Sequence, residues 1–305
     1  MRVTYITPIC ESSTEYNLLK IYKCLQKQTS PYWLWFIYDD NTNVRPINVY
    51  IKTFLCRDKR VLFAEHEHNN EFSEVKGSGP AKYMAFKKAG LYIPYRESEI
   101  FCELDHDDLI SLDCTEKILD AYEYRKFDFL HANTIVLKDD FTPNVTGYCD
   151  TAEFQHPLFG YKGEADCVNA PVSYQNITTK RITMNIRCYN RHFYKIIGGF
   201  DYKIDYGEDF DILIRVMAHA KTITFINESL YYYYFNENCS SAKLDCEKYF
   251  ENIMKKNECL LNTLKNTAID VIDYNDFRTK NQDLLYTIYN NKQIPEPRPF
   301  TTSCQ

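Results

Sequence analysis

The sequence predicts an α/β fold in which helices flank a mainly parallel sheet. Short apolar runs typical of buried strands alternate with helical patterns through the first half of the chain. Two of these runs stop abruptly in pairs of acids, and α/β proteins bind ligands at the carboxyl ends of their strands. The 305 residues, 45% of them hydrophobic, can bury a large core, and no window is apolar enough to span a membrane.

The strands predicted in the first half are short, and a helical pattern follows the first, the third and the fourth. They lie at residues 2–7, 32–38, 61–64 and 100–104. We expect the first to end before Pro8, because proline has no N–H to donate to a strand ladder. The helical patterns place apolar residues on one face, such as Leu18, Tyr22 and Leu25 after the first strand.

The second half has a less regular pattern. Short strands are predicted at residues 127–132, 134–138, 222–226 and 230–235. An amphipathic helix is predicted to begin at Glu208-Asp209. Residues 139–180 show no clear period, so we expect loops there that could form an acceptor pocket.

The composition changes after residue 235, which suggests a boundary. We predict a catalytic domain over residues 1–235, followed by a helical extension and tail over residues 236–305. Apolar positions between Phe250 and Leu264 predict one long helix. Its apolar face could pack on the catalytic domain or form a homodimer, and the sequence leaves both open.

Charge and cysteine usage narrow the class of protein. A net charge of −6 argues against a strongly basic nucleic-acid-binding surface. The 12 cysteines form no C-x-x-C pair, and no stretch of signal-peptide length is present, so we expect reduced thiols and a cytoplasmic location. The 26 tyrosines and abundant Asn, Ile and Lys are typical of an AT-rich genome, and a viral protein acting in the host cytoplasm is one candidate.

The acids at the strand ends are the first candidate site. Asp105 and Asp107 follow the apolar run at residues 100–104. Hard cations such as Mg²⁺ and Mn²⁺ prefer carboxylate oxygens, and a nucleotide diphosphate can complete their coordination shell. We therefore predict that both aspartates bind a divalent cation. The alternative is a turn before a helix N-terminus, where Asp is common.

Two further acidic pairs can each be interpreted as structural or as functional. Asp39-Asp40 is either a solvated turn or a group that accepts hydrogen bonds from a base and ribose. Glu208-Asp209 is either an acidic helix start, favoured by the helix dipole, or the source of a general base that deprotonates an acceptor hydroxyl.

Five sequence elements, taken in order, favour the functional interpretation of the acidic pairs. They are ITPI at residues 6–9, YDDNT at 38–42, GSGPAKY at 77–83, LDHDD at 104–108, and GGFD at 198–201 followed by EDFDILIR at 208–215. Together they resemble the GT-A glycosyltransferases, in particular the inverting family 2, over roughly residues 1–235. The resemblance implies a GT-A fold and a metal-dependent, hexosyltransferase-like enzyme that takes its sugar from a nucleotide-sugar.

The resemblance also implies roles for individual residues. Asp40 would contact the base, and Thr7, Pro8 and Glu11 would line its pocket. Lys82 would approach the base or the phosphates, unless it is an ordinary exposed helix lysine. Lys82-Tyr83 stands where the family usually has Arg-Asn, so contacts there are expected to differ.

For the catalytic residues, the resemblance implies that Asp107 is the principal metal ligand and that Asp105 contacts the ribose or the metal. Asp209 would be the catalytic base. The expected cofactor is Mn²⁺ or Mg²⁺, and the expected donor is a UDP-sugar. The acceptor would be a glycan, a lipid-linked sugar or a protein.

Other classes of protein fit less well. A sugar nucleotidyltransferase usually has a Gly-rich, basic loop after its first strand, whereas residues 8–13 read PICESS. A phosphatase of the haloacid-dehalogenase type needs its D-x-D on the first strand. A non-catalytic sugar- or nucleotide-binding module should have lost Asp107 or Asp209, and both are present.

Overall fold

The computed structural model describes residues 1–40, 45–66, 77–138, 142–145, 150–180, 186–235, 246–265, 267 and 269–275. Strands and helices alternate through its first half, as the sequence predicts. The strands are β1 (Arg2–Ile9), β2 (Trp33–Asp39), β3 (Val61–Glu65), β4 (Ser98–Glu103), β5 (Leu109–Ile110), β6 (Phe129–Lys138), β7 (Asp150–Gln155), β8 (Lys162–Val168), β9 (Arg187–Asn190), β10 (Ile223–Phe235) and β11 (Val271–Asp273).

The helices flank this sheet. They are α1 (Glu15–Gln26), α2 (Arg45–Thr53), α3 (Ser78–Tyr92), α4 (Cys114–Tyr124), α5 (Tyr174–Thr178), α6 (Arg191–Ile196), α7 (Glu208–His219), α8 (Cys246–Lys256) and α9 (Glu258–Leu264), with a short 3-10 helix at Leu55–Arg57. Within the described part of the chain, no helix combines the length and the apolar character needed to cross a membrane.

The sheet is mixed but mainly parallel. Its main path runs β11-β10-β6-β9-β4-β1-β2-β3. The β3-β2-β1-β4 half is parallel throughout, and β6 is parallel to β10. Strand β9 runs antiparallel between β4 and β6 and joins the two parallel halves. The predicted α/β fold is therefore confirmed, with β9 as an antiparallel insertion that the sequence did not reveal.

An apolar core lies on each face of the sheet. One contains residues of α1, α2 and α4, and the other contains residues of α3, α6, α7, α8 and α9. Strand β2, WLWFIYD, is buried along its whole length because it contributes side chains to both cores.

Strand β1 continues through Pro8 to Ile9, so the predicted end before Pro8 is wrong. In a parallel ladder, the N–H and C=O of one residue point to the same side. The carbonyl of Ile6 accepts from Leu104 on the β4 side, so Pro8, two residues on, faces that side as well. The last β1–β4 pair is Ile6 with Glu103. Pro8 therefore lies beyond the ladder, at a place where no N–H is required.

Predicted pairs of short strands in the second half are single strands. Strand β6 covers both predicted segments between residues 127 and 138. Strand β10 covers residues 223–235, with register shifts between Ile226 and Tyr231 that absorb the interruption in its apolar pattern. The region predicted as loops, residues 139–180, contains the β7–β8 hairpin and α5; its residues 139–141 and 146–149 lie outside the described residues.

The predicted long C-terminal helix is divided at Asn257 into α8 and α9. The Asn257 side chain donates hydrogen bonds to Asp211 Oδ1 and to the carbonyl of Ile253, each at 3.0 Å. A side-chain amide that bonds the backbone and a distant carboxylate competes with a continuous helix.

The C-terminal helices pack within the chain. Ile253, Leu261 and Leu264 are buried in the core cluster that includes α7, and β11 pairs with β10. The apolar face considered for a homodimer is thus used against residues before position 235 of the same chain, and the dimer stays a prediction. The tail after residue 275 lies outside the described residues.

We expect Leu261→Ala to lower the free energy of unfolding of the whole chain by about 2–4 kcal/mol, because it leaves a cavity in this shared core. Cys259→Ala, on the exposed side of the same helix, is the matched control and should change it by less than about 0.5 kcal/mol. Urea unfolding followed by circular dichroism measures both. Equal effects of the two substitutions would contradict the packing of α9 on α7.

Candidate active site

The parallel strands β1, β2 and β4 end at the same edge of the sheet. Ile9 at the end of β1 pairs with Asp39 at the end of β2, and Leu104 N donates to Ile6 O at 3.1 Å. The loops that follow β1 and β4 are in contact, because Cys10 Sγ lies 3.5 Å from His106 Nε2. The structure therefore brings the acidic loop after β4 against the residues expected to line a base pocket.

The acids of this loop point in different directions. Asp107 is open to solvent, its side chain 46% exposed, and Asp105 is half-buried. Asp108 is fully buried and accepts from the Tyr231 hydroxyl at 2.7 Å and from Tyr234 N at 2.9 Å. The Tyr231 oxygen also accepts from Asp105 N at 3.2 Å. Asp108 and Tyr231 thus hold the loop so that Asp107 faces outward.

His106 lies between these carboxylates. Burial lowers the pKa of its imidazole, but the bond to Cys10 and the charges of Asp107 and Asp105 outweigh burial and raise the pKa to about 9. The His106 nitrogen facing Asp107, Nδ1, is 4.0 Å from Asp107 Oδ1. His106 therefore faces Cys10 through one ring nitrogen and Asp107 through the other.

The carboxylates of Asp105 and Asp107 suit a cation that a bound ligand also coordinates. Asp105 and Asp107 supply hard oxygen atoms, as Mg²⁺ and Mn²⁺ prefer. Among the described residues, no group of three or more His, Cys, Asp or Glu side chains is placed to hold a metal ion. Two carboxylates form only part of a coordination shell, so this set fits a cation whose remaining ligands come from a diphosphate and water.

The residues expected around the base differ in exposure. Thr7 is fully buried, and its hydroxyl accepts from Trp35 Nε1 at 2.8 Å, so it supports the pocket from beneath instead of lining it. Pro8 is half-buried and Glu11 is exposed. Burial and the neighbouring Asp39 carboxylate raise the pKa of half-buried Asp40 to about 6. Residues 41 and 42 of this element lie outside the described residues.

Lys82 is buried, so its interpretation as an exposed helix lysine is wrong. Its Nζ pairs with Glu103 Oε2 at 3.0 Å and with Glu208 Oε1 at 3.1 Å. Burial alone lowers the pKa of Lys82, but the carboxylates of Glu103, Asp105 and Glu208 raise it above its ordinary value. Lys82 therefore joins α3, β4 and α7 as a permanent cation beneath the acidic loop.

Arg187 extends this cluster towards Asp209. Its Nε bonds Glu103 Oε1 at 3.1 Å, and its Nη1 lies 3.8 Å from Asp209 Oδ2. Glu103 also accepts from the Tyr189 hydroxyl at 2.7 Å. Burial raises the pKa of Asp209, Glu208 raises it further, and Arg187 and Lys82 hold it down. With its side chain 27% exposed, Asp209 is the acid of this group that reaches solvent.

Glycines let α3 approach the segment before α7. A Cβ on Gly79 would lie 1.9 Å from the carbonyl oxygen of Ile204, and one on Gly77, whose φ is +130°, would lie 2.5 Å from that of Asp205. Ser78 Oγ donates to Glu208 Oε2 at 2.7 Å. This close contact explains the G-x-G spacing of the element at 77–83 and brings Lys82 within reach of Glu208.

The final sequence element separates structural acids from the candidate base. Asp211 is fully buried and pairs with Arg215 one turn later. Arg215 also donates to the carbonyls of Ile197 and Gly199 at 2.6 and 2.5 Å, which fixes the Gly198-Gly199 turn. Asp209 lies on a different side of the helix and is left available for chemistry.

Sequence reasoning missed the partners of these residues. Glu103 was counted within an apolar strand, and Arg187 lies in the short run IRCY. A charge inside a buried strand requires an opposite partner, so these isolated charges were the available signal. Nothing in the linear pattern indicated that they pair with each other.

We expect Asp108→Ala to lower the free energy of unfolding by about 2 kcal/mol or more, because it removes the buried carboxylate that accepts from the Tyr231 hydroxyl and from Tyr234 N. Asp107→Ala, one residue away and open to solvent, should change stability by less than about 0.5 kcal/mol. Chemical denaturation of both variants tests this division. A larger loss for Asp107→Ala would mean that the roles are reversed.

Comparison with known proteins places the fold. No family model matches the sequence, and no curated protein is a significant match. The structure of S. aureus TarS 1–349 with UDP-GlcNAc has a TM-score of 0.59 and 18% identity, covering 85% of this chain and 66% of that chain. The complex of the same piece with UDP has a TM-score of 0.56 and 16% identity, covering 95% and 71%.

A longer TarS structure gives a TM-score of 0.57 and 16% identity, covering 84% of this chain and 39% of that chain. This chain therefore spans well under half of the longer TarS chain. At these identities the likeness shows the fold alone. The mixed sheet, the flanking helices and this likeness together establish that the chain has the GT-A-like fold that its sequence elements resemble.

Proposed function

We propose that the protein is an inverting glycosyltransferase that moves a sugar from a nucleotide-diphosphate sugar to an acceptor hydroxyl. One observation carries the proposal: Asp209, partly exposed and with a raised pKa, lies next to a buried charge cluster that reaches the loop of Asp105 and Asp107. A carboxylate suited to take a proton thus lies close to carboxylates suited to a metal–diphosphate group.

A UDP-sugar is the proposed donor. TarS, which shares the fold, has been solved with UDP and with UDP-GlcNAc. In this chain the exposed Glu11, half-buried Pro8 and half-buried Asp40 surround the end of β1 and are proposed to contact the nucleoside. Although burial and Asp39 raise the pKa of Asp40 to about 6, its carboxyl group is mostly ionised near neutral pH and can accept a hydrogen bond from a ring N–H.

The proposed cation is Mn²⁺ or Mg²⁺, held by Asp105 and Asp107 together with the diphosphate. It would stabilise the negative charge that grows on the departing nucleotide diphosphate. The buried cations Lys82 and Arg187 are already paired with Glu103 and Glu208. The carboxylates of Asp105 and Asp107 therefore need a cation between them and an anionic diphosphate.

Asp209 is proposed as the general base. It takes the proton of the acceptor hydroxyl while that oxygen bonds the anomeric carbon from the side opposite the nucleotide. The bond from the anomeric carbon to the diphosphate oxygen breaks, its electrons leave with the nucleotide diphosphate, and the configuration inverts. The acceptor remains a glycan, a lipid-linked sugar or a protein in this proposal.

Two alternatives remain to be tested against it. A non-catalytic GT-A-like module would bind the nucleotide without turning it over, and a sugar nucleotidyltransferase would consume a nucleoside triphosphate and a sugar phosphate. The availability of Asp209, poised as a base, favours the transferase.

We expect UDP to bind in the presence of Mn²⁺ and to bind about tenfold or more weakly after chelation or in Asp107→Asn, because the cation joins the diphosphate to the loop. Calorimetry with UDP, GDP, CDP and ADP measures this. Asp150→Asn, an exposed aspartate of β7, is the control and should bind like the wild type. Binding that does not depend on the metal would contradict the proposed cation. The absence of any nucleotide binding would contradict the proposed donor site.

Asp209→Asn should retain nucleotide affinity and lose about 10²–10⁴-fold in turnover, because the amide cannot accept the proton. In the wild type, turnover should rise with pH through the pKa of Asp209, which lies above the ordinary 3.8, since the base acts only when ionised. Release of UDP from UDP-sugars, measured with and without acceptor mixtures across pH, tests both. Undiminished turnover in Asp209→Asn would exclude it as the base.

A further inference from the structure

Arg187 contacts the proposed base from inside the sheet. It begins β9, the antiparallel strand between β4 and β6, and is only 3% exposed. Its Nη1 lies 3.8 Å from Asp209 Oδ2, whereas Asp209 Oδ1 accepts from Phe210 N at 2.9 Å. One carboxylate oxygen is therefore fixed by the helix backbone, and the other faces a buried guanidinium.

The guanidinium is itself held in place. Glu103 bonds Arg187 Nε at 3.1 Å and is shared with Lys82 and with the Tyr189 hydroxyl. Lys82 also pairs with Glu208. Two cations and two carboxylates balance within this cluster, and Asp209 is the additional acid at its solvent-facing side.

We propose that Arg187 is a positioning residue for Asp209: it orients the carboxylate towards the acceptor side and keeps it ionised between turnovers. This inference rests on the proposed function. In the ionised state Asp209 can accept a proton from the acceptor hydroxyl, and Arg187 does not touch the reacting atoms.

The charges around Asp209 come from several elements. Burial and Glu208, on its own helix, favour the neutral acid, whereas Arg187 from β9 and Lys82 from α3 favour the carboxylate. Glu103 and Asp105, from β4 and its following loop, face Arg187. From α8, Lys256 bonds Asp201 and Asp211.

Removing the charge of Arg187 leaves burial and Glu208 opposed by Lys82 and by the hydrogen bond from Phe210 N. An opposite charge at this distance typically lowers the pKa of a carboxyl group by about 1–3 units. We therefore expect Arg187→Gln to raise the pKa of Asp209 by about that amount. Glu103→Gln should act in the opposite direction, because it leaves the charge of Arg187 less compensated.

The direct test is ¹³C-carboxyl NMR titration of protein labelled at aspartate, with the Asp209 signal assigned by its loss in Asp209→Asn. Tyr189→Phe is the matched control: it removes another bond to Glu103 from the same strand and leaves the Arg187–Asp209 contact in place. We expect its Asp209 pKa to stay within about 0.5 units of the wild type.

An unchanged Asp209 pKa in Arg187→Gln would overturn the proposal. If that variant does not fold, as judged by circular dichroism and melting, Glu103→Gln decides. A lowered Asp209 pKa in that variant supports the coupling, and an unchanged or raised one overturns it.

Turnover adds an independent measurement. In Arg187→Gln, we expect turnover to fall about 10–100-fold, its acid limb to move to higher pH, and UDP affinity to stay constant. Arg187→Lys keeps the charge and should recover part of the loss. In the Asp209→Asn background, Arg187→Gln should cost no further activity, because the residue it positions is gone.

These outcomes separate the two proposals. If the wild type releases UDP from no donor but the Asp209 pKa moves as expected, the proposed function fails and the coupling stands. If the wild type turns over a donor and the Asp209 pKa does not respond to Arg187, the positioning role alone fails.

Discussion

A buried ion-pair cluster joins the parts of the molecule that carry the candidate site. Lys82 comes from α3, Glu103 from β4, Arg187 from β9 and Glu208 from α7, and each cation contacts a carboxylate within 3.1 Å. Charges removed from water are tolerated only when they are paired, and breaking such a pair by removing one partner typically costs about 3–5 kcal/mol. The cluster therefore fixes the strand that leads into the loop of Asp105 and Asp107 relative to the start of α7, where Asp209 lies. Asp209 can be exposed and still well placed because its neighbours are immobilised in this way.

The architecture was largely readable from periodicity. Continuous apolar runs gave the buried parallel strands, and i, i+3, i+4 spacing gave the main helices. The failures have local physical causes. Pro8 belongs to β1 because the neighbouring strand has already ended on that side. The C-terminal helix is divided because Asn257 bonds a buried carboxylate on another helix. Strand β9 was missed because only four residues form it, too few for a periodic signal.

The candidate site was predictable only where chemistry coincides with a visible boundary. Asp105, Asp107 and Asp209 stand at a strand end or a helix start, so their positions could be recognised from sequence. Thr7 lies at a similar boundary, yet its hydroxyl points into the core, because residues of a strand alternate between faces. Lys82 and Arg187 could not be placed, since their roles depend on partners more than 20 and 80 positions away along the chain, respectively.

The contact of the glycines of α3 with the segment before α7 has a consequence for motion. At Gly77 and Gly79, the backbone at the start of α3 lies directly against the carbonyls of Asp205 and Ile204, with no side chain between them. Two surfaces in such contact cannot slide past one another without collision. Helix α3 and the start of α7 must therefore move as one rigid body, with the ion pairs of Lys82 inside it. Any opening of the candidate site has to occur in other segments around it, and the angle between α3 and α7 should be the same in every state of the molecule.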